Sequence, residues 1–147
     1  QMAALARIGF DPAHAVVAVA SGGISSNGFN CAWIDNTSTV ELICWGHNTS
    51  GQLGREDTAT VGNTGSPAMD SLPPVDLVGG TSISLGAPHA ARLAVGSSHA
   101  CAIVTGNVLK CWGANGFGQL GLEDLVNRGD SGSVLQAMGD DLPAVTY

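Results

Sequence analysis

The chain has 147 residues, 44% of them hydrophobic and only 12% charged, a balance that excludes a solvated disordered chain and supplies core enough for one ordinary domain. Five Lys and Arg stand against twelve Asp and Glu, a formal net charge of −7, so the clustered cations that a nucleic-acid backbone or an anionic membrane surface demands are missing. No apolar run approaches the roughly eighteen residues of a membrane-spanning helix, which excludes membrane insertion by that route, and twenty-one glycines with six prolines require many turns.

In chain order, "AHAVVAVA" predicts a short strand over Val16–Val19, whose small side chains suit a crowded interior and which Ser21-Gly22-Gly23 ends. Asn30–Ile34 predicts a second strand and Val40–Trp45 a third, with a hairpin turn between them. "CWGHNTSGQLG", Cys44 to Gly54, then opens a polar, turn-rich loop that leads to "PAMDSLPPV". The same order returns with Arg92–Val95, Ala100–Val104, the short turn Thr105-Gly106-Asn107, Val108–Trp112, "CWGANGFGQLG" from Cys111 to Gly121, and "QAMGDDLPAV".

These are two copies of one unit. The frame C-W-G-x-N-x-x-G-Q-L-G recurs after 67 residues with eight of eleven positions identical, whereas the upstream cysteines Cys31 and Cys101 lie 70 apart, so the first copy carries a three-residue insertion, expected in its hairpin. The second copy contains G-x-G-x-x-G at Gly116, Gly118 and Gly121, the spacing of a dinucleotide-binding loop. Thr49 replaces Gly116 in the first copy, and neither copy is followed by an apolar stripe of helical period. The glycines therefore serve a repeated turn, with Gly46, Gly51 and Gly54 answered by Gly113, Gly118 and Gly121 at tight corners.

The four cysteines allow three connectivities, and neither pair has the two-residue gap of a zinc ribbon. Each pair lies within one copy on consecutive strand-like runs, so Cys31–Cys44 and Cys101–Cys111 disulfides are the economical pairing, with free buried thiols or a metal site as the alternatives. Disulfides would place the chain in an oxidising compartment. Asn36-Thr37-Ser38 and Asn48-Thr49-Ser50 are glycosylation acceptor patterns, making Asn36 and Asn48 candidate glycan sites. His47 and His99 have no second histidine at ligand spacing. The recurring acidic pairs Glu56-Asp57 and Glu123-Asp124, with Asp140-Asp141, sit in loops and do not suggest convergent catalytic carboxylates; Arg128-Gly129-Asp130 reads as part of the same loop system. No Ser-His-Asp arrangement with a nucleophile elbow is present, and catalysis has no positive sign.

The second copy, "AVGSSHACAIVTGNVLKCWGANGFGQLGLED" and its continuation, resembles the repeat of the regulator-of-chromosome-condensation (RCC1) β-propeller family, in which each repeat contributes one four-stranded blade. The resemblance implies an all-β fold of two such blades, 1–74 and 75–147, incomplete as a single-chain ring. The first copy is the looser match, with Asn30 standing where the second has His99. The cysteine pairs resemble those of secreted, bacterial-type versions. By the same resemblance Trp45 and Trp112 pack between neighbouring blades, Gln52 and Gln119 bond to backbone in the turn, and the chain is a protein-binding scaffold with no enzymatic activity and no cofactor.

Propellers close with about four to eight blades, and two leave blade faces and strand edges exposed. The expectation is an extracellular structural subunit that assembles head-to-tail with copies of itself into a filament or multi-chain ring. The alternative is a fragment of a longer secreted propeller that binds another extracellular protein. In the first case the segment Leu142–Tyr147 is expected to pack against Met2–Phe10 of a second copy.

Overall fold

The computed structural model of the chain describes residues 14–36, 39–62, 71–79, 82–83, 92–131, 133 and 135–146. Seven strands form two antiparallel sheets: β1 (Ala15–Gly22), β2 (Phe29–Asp35), β3 (Val40–Gly46) and β4 (Ser82–Ile83) in the order β1-β2-β3-β4, and β5 (Leu93–Val95), β6 (His99–Val104) and β7 (Val108–Gly113) in the order β5-β6-β7. The fold is all-β, with two meandering sheets as incomplete blades and no closed ring among the described residues.

The hairpins explain where the inserted residues went. Cys31 pairs with Cys44 and Cys101 with Cys111 in the two ladders. From those pairs the first hairpin runs on to Asp35↔Val40 and the second to Val104↔Val108. Each strand of the first is thus one residue longer, and its loop one residue longer as well. Asn36 closes that loop, its Oδ1 accepting the Thr39 N–H at 3.1 Å and the Thr39 hydroxyl at 2.8 Å, the local side-chain turn for which asparagine is suited.

The ladders correct two readings of the sequence. Phe29 pairs with Gly46 and His99 with Gly113, so Phe29, and not Asn30, is the counterpart of His99. The boundary expected between residues 74 and 75 cuts through the first sheet's own structure: the Val75 N–H donates to the Leu42 carbonyl at 2.7 Å, and β4, seven residues on, pairs with β3 at Val40↔Ile83. The second copy repeats the first of these contacts, with the Val145 N–H on the Leu109 carbonyl at 2.8 Å.

The two sheets lie side by side through their first strands. The Gly23 N–H donates to the Gly96 carbonyl at 3.1 Å, and a Cβ on Gly22 would run into that same carbonyl. Such close approach is why the sequence supplies small residues here. One continuous core joins both copies: Phe29, Trp33, Leu42, Leu53, Val75 and Leu77 from the first with Ala100, Ala102, Trp112, Met138 and Leu142 from the second. Nearly every residue of β2 is buried, as in a strand covered on both faces, whereas β6 alternates between buried and half-buried positions. The outer side of the second sheet is therefore the less covered.

Candidate functional site

The repeated turn after β3 and β7 is built by one asparagine in each copy. Asn48 is fully buried; its Oδ1 accepts the Leu53 N–H at 2.9 Å, and its Nδ2 donates to both the Asp57 carbonyl and the Asp57 carboxylate at 2.9 Å. Asn115 repeats every bond, to Leu120 at 3.0 Å and to the Asp124 carbonyl and carboxylate at 2.9 and 3.0 Å. The glutamines add a second brace: Gln52 Oε1 accepts the Ser50 N–H and Gln119 Oε1 the Phe117 N–H, each at 2.9 Å. The sequence singles out the glycines and glutamines of this frame and the recurring acidic pairs that contain Asp57 and Asp124, but not Asn115 or the bond that joins each asparagine to its Asp. The signal was an Asp nine residues after the frame asparagine in both copies.

The turn of the first blade is inserted into the second. The Trp112 indole N–H donates to the Gln52 carbonyl at 3.1 Å, and both residues are fully buried. The Met138 N–H donates to Glu56 Oε1 at 2.9 Å, across 82 residues of sequence, and the Gly139 N–H to the Asp76 carbonyl at 3.0 Å. Lys110, itself buried, donates to the Gly139 carbonyl at 2.8 Å. Burial pushes its ammonium below the usual lysine range, opposed by the carboxylates of Asp140 and Asp76. Gly51, in the left-handed region at φ 75°, lies directly on the backbone of Gly129 and Asp130, and a Cβ there would collide with both. Arg55, Glu56, Pro73, Pro74, Asp76 and Met138 line a cavity of about 230 Å³ at this junction.

Both cysteine pairs are disulfide-bonded, with Cα atoms 4.1 Å apart across each hairpin, and no free cysteine remains. Arg128-Gly129-Asp130 is held into the loop: Arg128 is buried, its Nη2 2.6 Å from Asp124 Oδ2 and its Nη1 donating to the Val126 carbonyl. That guanidinium is the largest cause holding the Asp124 carboxyl below its ordinary value, with the Val126 N–H second. Of the acidic pairs, Asp57 and Asp124 are engaged by the frame asparagines and Glu56 by the Met138 backbone.

The glycan candidates differ sharply. Asn36 is half-buried, and its Nδ2 donates to Glu41 at 3.3 Å, whereas at Asn48 the nitrogen that would carry the sugar is enclosed and donates twice to Asp57. The Asn48 side chain pins the turn, the role that Asn115 fills without any acceptor pattern.

Residues 90–119 match the family described as Regulator of chromosome condensation (RCC1) repeat. That stretch is similar to an RCC1 repeat. No curated protein matches the chain. The RCC1 match covers β5, β6, β7 and the start of the frame turn; the first copy reproduces that geometry strand for strand, down to its disulfide register and its asparagine pin. An RCC1 repeat points to a protein-interaction propeller module.

Of the segment expected to reach a second copy, Leu142 is buried within its own blade and Val145 is bonded to β7, just as Leu72 and Val75 lie along β3. Pro143, Ala144 and Thr146 between and beyond these contacts are exposed. The segment's expected counterpart, residues 2–10, lies outside the described residues.

Proposed function

We propose that this chain is an extracellular structural subunit, a two-blade RCC1-type module whose work is to bind further blades of the same kind, assembling head-to-tail with copies of itself into a filament or multi-chain ring. One observation carries the reading. The interface between its own two blades is made by residues of the repeat itself, the frame turn of one blade and the Trp-Gly strand end of the next, so each blade has both a surface that inserts and a surface that receives. Their counterparts, Gly118 and Gln119 in the turn of the second blade and Trp45 and Gly46 at the strand end of the first, are only half-buried. Two disulfides are compatible with an oxidising, extracellular setting. Among the described residues no helix is long and apolar enough to cross a membrane.

Light scattering on the oxidised chain over a wide concentration range tests it. The expected result is a mass that climbs with concentration beyond a dimer, because a heterologous contact repeats unless it closes a ring. A chain that stays monomeric at the highest attainable concentration would overturn self-assembly and favour the alternative, a portion of a longer secreted propeller that engages a different protein.

A further inference from the structure

The two glycines that meet between the blades each have a counterpart at an outer end of the molecule. Gly51 and Gly129 face one another: a Cβ on Gly51 would strike the backbone of Gly129 and Asp130, and a Cβ on Gly129 would lie 2.8 Å from the Gly51 carbonyl and 3.1 Å from the Gly54 Cα. The repeat offset of 67 residues places Gly118 opposite Gly51 and Gly62 opposite Gly129. The bridges Gly46↔Val61 and Gly113↔Arg128 show the same equivalence one residue earlier. Gly118 has a φ of 74° against 75° for Gly51, and Gly62 has 84° against 83° for Gly129. The backbone is therefore shaped for contact at all four positions.

Only the inner pair makes that contact. Gly51, Gln52, Gly54, Trp112, Gly113 and Gly129 are buried, whereas their counterparts Gly118, Gln119, Gly121, Trp45, Gly46 and Gly62 are half-buried or exposed. A Cβ on Gly118 would meet nothing within 4 Å, while one on Gly62 would meet the chain's own Trp45 side chain at 3.3 Å, so the Trp45 ring must shift as a neighbour docks there. Phe117, beside Gly118 at the tip of the same turn, is 96% exposed. Glu123 stands where Glu56 accepts the Met138 N–H, and it repeats the left-handed backbone, φ 59° against 58°.

We infer that the turn Phe117–Glu123 inserts into the Trp45-Gly46-Gly62 face of a second copy of this chain, reproducing between molecules the contact that Gly51–Glu56 makes with the Trp112-Gly113-Gly129 face within one. A second copy is the occupant because this chain carries both halves of the fit. The inference rests on the self-assembly reading above and names its surfaces.

Two substitutions block opposite halves. Gly118→Asn puts a side chain that tolerates the left-handed region where the docked neighbour must lie, and Gly62→Asn crowds the Trp45 ring that must make room for it. Sedimentation of each variant alone is expected to show at least a tenfold weaker self-association than the parent. An equimolar mixture of the two is expected to give a complex of two chains that grows no further, since each variant retains the half that the other lacks. Glu123→Arg, which leaves every glycine in place, is expected to weaken assembly in the same way should Gly118→Asn lose its fold by near-ultraviolet circular dichroism. A parent chain that never associates would overturn this inference together with the assembly reading. A parent that assembles while these variants assemble equally well, or variants that fail to complement on mixing, would overturn the docking surfaces and leave assembly standing.

Discussion

At the scale of single residues the molecule depends on asparagines that hold turns rather than on chemistry that faces solvent. Replacing Asn115 by Ala removes three hydrogen bonds and leaves the Leu120 N–H without its acceptor inside the fold; the expected cost is about 2–3 kcal/mol, read from the urea midpoint. For the same reason, expression in a glycosylating host is expected to give sugar on Asn36 and none on Asn48, with peptide mass spectrometry before and after glycan removal as the check; occupied Asn48 in folded protein would contradict it. His99 sets a pH dependence. Burial pushes its imidazole below the ordinary 6.5, so between 6.5 and the folded value the unfolded chain binds a proton that the folded chain does not. Stability is therefore present in full above that window and falls as the pH drops through it. His99→Phe, which installs the residue of the first copy at that register position, is expected to flatten the slope between about pH 7.5 and 5.5.

At the scale of elements, each hairpin is a strand pair with a disulfide across it, and the two are not equally protected. Cys31, Cys44 and Cys111 are nearly or wholly buried, whereas Cys101 is half-buried. Mild reductant is expected to open Cys101–Cys111 first, and differential alkylation followed by mass spectrometry reports the order. Removing either bridge closes off a loop constraint of 13 or 10 residues, for an expected loss of about 2–4 kcal/mol in the chain-entropy picture. The tryptophans at the ends of β3 and β7 are expected to diverge in the same way. Trp112→Phe strands the Gln52 carbonyl between the blades and opens a void, costing about 2–4 kcal/mol, while Trp45→Phe at the half-buried outer position costs about 1 kcal/mol, both read from denaturation midpoints.

At the scale of the whole molecule, two blades share one core and one heterologous contact, and that contact is directional. The inserting turn belongs to the earlier blade and the receiving strand end to the later one, so any continuation by the same rule runs head-to-tail. Lys110 belongs to this junction: from β7 it reaches the Gly139 carbonyl, and Gly139 in turn donates to Asp76. Lys110→Met is expected to loosen the seam between the blades while leaving both disulfides formed, a result that hydrogen exchange at Gly139 and Asp76 would register beside unchanged protection in β2 and β3.

The repeat, six of the strands to within a residue or three at each end, the economical cysteine pairing and the turn function of the glycines were all legible in the residues alone, because each of these is local. Strand periodicity, hairpin length and a left-handed backbone are properties of a few consecutive residues, and the second copy gave every reading an independent check. Tertiary structure decided what depends on a distant neighbour. β4 is two residues long and has no pattern to read; it is a strand only because β3 offers it an edge. Asn48 carries an acceptor triplet, yet its amide faces Asp57, which no triplet encodes. Gly51 and Gly118 are indistinguishable in sequence and nearly so in φ, and only the packing of one blade on the other tells which is already docked and which is open.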